Sequence, residues 1–255
     1  MAPWSEIERL ASDRTMGAAE TADRAARVLP AIPREELVDA VEALLAGHPC
    51  MAPLWRLGNA LLTTGDADAA AQQFRREMAG DSTAAFALSP ALPGRILTIS
   101  HSATVVEALT VRKPGTVVCM ESRPGGEGLS MAGMVSAYSN VEVVDDDRAI
   151  ADVPAEAVLI GADAITPTVV VNKVKSLDLV RAAAAAGKPR YVVAGSVKLV
   201  PCELPIPELF QAVPLELFTG IALPAGLLQP ADVPARAAAV SMHPALVALA
   251  ERLEP

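Results

Sequence analysis

Several large classes of function are excluded by what this sequence has little of. Phe, Trp and Tyr together make up 3% of its 255 residues, so whatever cores it builds are aliphatic. Three cysteines, Cys50, Cys119 and Cys202, are odd in number, far apart and without metal-ligand spacing. That pattern gives neither a disulfide framework nor a zinc site. Basic residues are outnumbered, 21 Lys and Arg against 30 Asp and Glu, for a net charge of -9. A surface of that sign repels phosphate backbones and anionic lipids, so nucleic acid and membranes are not expected partners. No stretch reaches the roughly 18 apolar residues a membrane span needs, and the first twenty residues lack the apolar core of a secretion signal. The expected location is the cytoplasm.

What is present is apolar material, 52% of the chain, enough for one large or two modest cores. Residues 1–90 read as a small helical domain, because apolar positions recur at three and four. One helix runs from Gly17 to Leu29 and ends at Pro30. Pro33 opens the next, with Leu37, Val38, Val41, Leu44 and Leu45 on one stripe. A third spans 53–62, and Asp66 is placed to cap a fourth through Met78. Ser89-Pro90-Ala91-Leu92-Pro93-Gly94 marks the boundary, since two prolines and a glycine neither continue a helix nor enter a central strand. From there to residue 255 short apolar strands (95–100, 116–120, 141–144, 157–160, 191–194) alternate with helical patterns. That alternation predicts an α/β domain with a Rossmann-like, doubly wound parallel sheet.

The organising stretch is 157–195. Ala157 to Ile160 has the length of a buried strand and stops at Gly161, which leaves Asp163 just past a strand end. After a short loop come Asn172 and Lys173, then a helix is expected from about Ser176 to Ala186 and a strand from Tyr191. Strand, helix and strand make a βαβ unit, whose ligands collect at the carboxyl ends of the strands. Asp163 is open to two readings at this point, a group in such a site or a cap for nearby loop amides.

Two further turns follow strand ends. Glu121-Ser122-Arg123-Pro124-Gly125-Gly126-Glu127-Gly128 combines an Arg with glycines and a helix start, which suits a phosphate or is an ordinary glycine turn with a surface Arg. Ser100-His101-Ser102-Ala103-Thr104 either accepts an anion or caps its helix. Arg14 and Arg56, near the start of the chain, are equally open to a substrate-facing role and to surface ion pairs.

GADAI at 161–165 with VVNK at 170–173 and ESRP at 121–124 resembles the family that joins methylthioribose-1-phosphate isomerase, ribose-1,5-bisphosphate isomerase and the regulatory subunits of translation initiation factor 2B. Weaker likeness extends to Arg14-Thr15-Met16-Gly17-Ala18, to the segment around Pro53 and to 213–220. The chain departs from the family pattern at four places. Thr166-Pro167-Thr168 replaces an Asn-Gly loop, Glu127 stands for the usual Gln, Met51-Ala52 before Pro53 lacks the family's Arg, and Ser102 occupies the position of the isomerases' Cys. The resemblance implies a candidate aldose-ketose isomerase of a phosphorylated ribose, with Asp163 and Ser102 at the catalytic positions. Arg123, Asn172, Lys173, His101, Gly126 and Gly128 would hold the substrate, with neither cofactor nor metal. It also implies a homodimer joined through the α/β domain. The apolar stretch 215–228 is expected to form part of that joining surface. A serine hydroxyl titrates far above the ~8.5 of a thiol, so a non-catalytic sensor of sugar or nucleotide phosphates is the alternative.

Overall fold

Sequence dictates the helix starts. The computed structural model describes residues 2–80, 83–148 and 152–253, and its first layer is α1 (Pro3–Ser12), α2 (Ala18–Val28), α3 (Leu37–Gly47), α4 (Ala52–Leu62) and α5 (Ala67–Ala79). Proline sits in the first turn of α1 and α4, where its missing N–H is not needed. Asp66 caps α5 by accepting the Ala69 N–H at 2.9 Å. The faces that meet are aliphatic, with Trp55 fully buried among Leu, Ile and Ala side chains.

After α6 (Thr83–Leu88) the grammar changes. The chain runs β1 (Arg95–Thr98), α7 (Ala103–Arg112), β2 (Thr116–Met120), α8 (Glu127–Val135), β3 (Asn140–Val144), β4 (Ala157–Ile160), β5 (Ala164–Ile165), β6 (Val169–Lys173), α9 (Ser176–Ala185) and β7 (Arg190–Val193). It ends with β8 (Phe210–Pro214), β9 (Gly220–Leu223), β10 (Gly226–Leu228), α10 (Val233–Ala238) and α11 (Pro244–Arg252). Seven strands form one sheet in the order β10-β9-β7-β4-β1-β2-β3. Every pairing is parallel except that of β10 with β9. All four residues of β4 are buried, as a strand covered on both faces requires. β4, α9 and β7 are the βαβ unit expected from 157–195.

Asn172 and Lys173, expected after a short loop, lie on a strand that the sequence did not announce: the β-branched run Val169-Val170-Val171 makes β6, which carries both residues. β6 is the centre of a small antiparallel sheet, β5-β6-β8. Thr166-Pro167-Thr168 is its hairpin turn, with the hydroxyls of Thr166 and Thr168 donating to Glu203 at 2.8 and 2.9 Å. The apolar stretch 215–228 is not a surface tail, although Leu227 on the edge strand β10 stays exposed. It forms β9 and β10, and Leu215, Phe218, Ile221 and Leu223 are buried within the α/β core. The two layers also exchange ends, since α6 packs among residues of β1, β2 and α7, while Leu246 and Leu249 of α11 pack into the helical layer.

Candidate functional site

Sheet order decides which loops meet. The carboxyl ends of β7, β4, β1 and β2 are neighbours, and they lead respectively to the turn Ser196–Lys198, to Asp163, to Ser102 and to 121–128. The order of strand addition reverses between β4 and β1, which run parallel, and that is the place where an open α/β sheet leaves a crevice. Ser102 lines that gap. A Cβ at Gly161 would fall 2.4 Å from the Ser102 hydroxyl oxygen, so only glycine lets the two strand ends approach this closely.

Asp163 is anchored by its backbone. Its N–H donates to Val171 at 2.8 Å, and its carbonyl accepts the Ala52 N–H at the start of α4 at 3.0 Å. The helical layer thereby covers the site and brings Cys50 beside Asp163, where the turn after β7 already places Lys198. Loss of hydration raises the Asp163 pKa, and the charges of Lys198 and Lys173 oppose that rise. Burial lowers the Lys198 pKa, with Asp163 opposing. Among the described residues, neither the Asp163 carboxylate nor the Lys198 ammonium is in a hydrogen bond or ion pair. The Cys50 thiol is pushed up by burial and by Asp163, so it stays protonated at neutral pH.

Lys173, only 12% exposed, forms an ion pair with Glu127, the first residue of α8. The other carboxylate oxygen of Glu127 is buried without a partner. Asn172, buried on the same strand, donates to the Ser176 hydroxyl at 3.1 Å and so ties β6 to α9. Gly128 lets α8 start hard against β2, since a Cβ there would lie 1.7 Å from the Met120 carbonyl oxygen. Gly126 takes a left-handed conformation, φ 68°.

The turn at 121–128 does offer converging amides, but a carboxylate of this chain already occupies them. Asp146 accepts the N–H of Ser122 at 2.7 Å and of Arg123 at 2.6 Å. The Arg123 guanidinium pairs with Asp145 at 2.7 Å and stays 48% exposed. Ser102 caps α7 and bonds Thr104 at 3.0 Å. His101 is exposed, its ring 3.0 Å from the Met134 sulfur on α8. Arg56 pairs with Glu77 at 3.7 Å, and Arg14 donates to the carbonyls of Ala11 and Asp13. The structure thus brings together Asp163, Lys173 and Ser102, holds Arg123 at the rim, and leaves His101 outside.

Lys198, Glu127 and Cys50 were missed as site residues. For Lys198 a signal existed, because it follows a strand end just as Asp163 does. Among the described residues no group of three or more His, Cys, Asp or Glu side chains is arranged to hold a metal ion. Two surface hollows, about 430 Å³ beside Asp39 and Leu249 and about 260 Å³ beside Met120 and Lys175, do not include Asp163.

No curated protein matches the chain by sequence. Among solved structures, translation initiation factor 2B of Pyrococcus horikoshii is similar at 25% identity and a TM-score of 0.79, over 90% of this chain and 98% of its own. A chain of the tetrameric beta2-delta2 complex of initiation factor 2B from C. thermophilum shares the fold at 16% identity and a TM-score of 0.71, over 91% and 92% of the two chains. So does 5-methylthioribose 1-phosphate isomerase of Pyrococcus horikoshii, at 19% and 0.62, over 92% and 86%. Residues 89–207 match the model of the initiation factor 2 subunit family, and with it the resemblance read from GADAI, VVNK and ESRP is to the group that holds initiation factor 2B subunits and methylthioribose-1-phosphate isomerase.

Proposed function

We propose that the crevice at Asp163 binds a phosphorylated pentose and that aldose-ketose isomerisation is its chemistry. One observation carries this reading: Asp163 and Lys198 are both shifted by burial and lie within electrostatic reach of each other, with Lys173 of the Lys173–Glu127 pair also near Asp163, yet among the described residues neither side chain is in a hydrogen bond or ion pair. Burying charge without a partner is costly, and a polyol phosphate supplies donors and acceptors for all of these groups at once. The unpartnered oxygen of Glu127 is suited to accept a sugar hydroxyl, and Lys173 and Arg123 to meet the phosphate. Asp163 is the base, its pKa raised toward neutrality by burial.

A non-catalytic phosphate sensor is the second reading. It is favoured by Ser102, whose hydroxyl is engaged with Thr104 and the α7 amide of Val105, and so is not free to move a proton. A thermal-shift panel of pentose phosphates and nucleoside monophosphates tests the binding common to both readings, since a ligand of the folded state alone raises its stability. If no member of the panel raises the melting temperature, the site assignment is wrong. Turnover of a bound pentose phosphate, lost in Asp163→Asn, separates the enzyme from the sensor.

We also propose that the protein is a homodimer through its α/β layer. Exposed Leu129, Met134 and Tyr138 beside the edge strand β3 support this. Sedimentation should give twice the mass of one chain, and a single-chain mass at micromolar concentration would remove the proposal.

A further inference from the structure

We propose that Lys198 is the second proton-transfer residue of the Asp163 site, donating to the sugar oxygen that gains charge as Asp163 takes a proton from carbon. This rests on the sugar-phosphate reading and names the partner that Ser102 does not supply. Lys198 ends a rigid turn after β7. The adjoining segment is fastened to the Asp163 hairpin by the Val200 N–H donating to Ile165 at 3.0 Å. The same turn is fastened to the helical layer by the Ser196 hydroxyl bonding Glu77 at 3.1 Å. The turn that carries Lys198 is therefore held from two sides.

The charged and titratable groups around it are Asp163, Cys50, Lys173 with Glu127, and Arg56 with Glu77. The two carboxylates other than Asp163 already hold cations. Asp163 and Lys198, on segments joined by the Ile165–Leu199 bridge, are within electrostatic reach of each other but form no ion pair among the described residues, an arrangement that a substrate bound to both would complete. Burial shifts both toward neutral pH from opposite sides, so one can act as base while the other acts as acid.

With ribose 5-phosphate in its open-chain form, the Asp163 carboxylate removes the C2 hydrogen as a proton. The C–H pair becomes the C1–C2 double bond. The carbonyl pair moves onto O1, which takes a proton from the Lys198 ammonium. In the second half the enediol O2–H returns a proton to the Lys198 amine, its electrons close the C2 carbonyl, and C1 takes the proton from Asp163. The product is the ketose, and both residues are restored.

The experiment uses the full-length protein with ribose 5-phosphate, measuring the thermal shift, the rate of ribulose 5-phosphate formation and the pH profile of kcat/KM. Lys198→Met should keep the Kd within about threefold of wild type and lower kcat by 10² to 10⁴, the usual worth of such a group. It should also lose the alkaline limb of the profile. Lys198→Arg, which keeps the charge if Met perturbs the fold, should move that limb upward, because a guanidinium releases its proton only at far higher pH. If the wild type does not bind the probe, the sugar-phosphate reading fails and takes this proposal with it. Binding without turnover overturns the proposal alone. So does a Lys198→Met protein that keeps wild-type kcat or its alkaline limb.

Discussion

Asp146→Ala should destabilise the protein and at the same time create an anion site. The buried Asp146 carboxylate satisfies the Ser122 and Arg123 amides at 2.7 and 2.6 Å. Removing it leaves both donors unpaired, at about 1 to 3 kcal/mol each. Part of that loss is returned, because Asp145, Asp147 and Glu121 no longer face a fourth negative charge. A net loss of about 3 kcal/mol is expected, near 6 to 12 °C in melting temperature for a chain of this size. The vacated nest then has two inward amides and the Arg123 guanidinium, the equipment of a phosphate site. Inorganic phosphate at about 100 times its Kd would restore about 2.7 kcal/mol. The assay is thermal unfolding of wild type and variant in matched ionic strengths of phosphate and chloride. Asp146→Asn should be intermediate in stability, since its amide keeps one acceptor but turns a donor toward the second N–H. If Asp146→Ala melts with the wild type, or if phosphate stabilises it no more than the wild type, then Asp146 is not the internal occupant of an anion nest.

Gly128→Ala should cost about 3 kcal/mol, the upper range for overpacking, because its Cβ would meet the Met120 backbone carbonyl at 1.7 Å and no flexible side chain can give way; urea unfolding reads this directly. Arg123→Ala should weaken binding of a pentose phosphate by about 1.5 to 3 kcal/mol in calorimetry, the range for hydrogen bonds to charged groups, and unchanged affinity would remove Arg123 from the site. The pH dependence of stability should carry a His48 component. Its pKa is lowered by burial, with Arg14 adding to the effect and the Leu10 carbonyl at 2.7 Å opposing it. The unfolded chain then binds the proton more readily than the native one. Stability from this group is complete above the unfolded value near 6.5 and is lost as pH falls from there through the lower native value. His48→Gln, which keeps a donor for Leu10, should flatten that part of the stability profile.

How much of this was legible beforehand follows the range of the interactions concerned. Strands β2 and β4 were readable to the residue and α5 to its cap, because a buried strand and a capped helix are written in consecutive residues. The position of Asp163 past a strand end was local in the same sense. The occupant of the 121–128 turn was not, since Asp146 reaches it from the end of the neighbouring strand, and only the β2–β3 register makes the two meet. Lys173 was found but its strand was not, because β6 exists by pairing with β8 some forty residues later.

Lys198 is the instructive omission. Seen alone, a lysine after a strand is an ordinary surface residue, and its chemistry changes only when α4 closes over it and brings Cys50 alongside. That closure runs through the Ala52–Asp163 backbone bond at 3.0 Å, so the helical layer is what turns two strand-end charges into a desolvated pair. The layer with the weakest resemblance to the family therefore governs the chemistry of the strongest motif. Substitutions in the first turn of α4 should alter the pH profile of the site before they alter its affinity for phosphate, which on the proposed reading is set by Lys173 and Arg123.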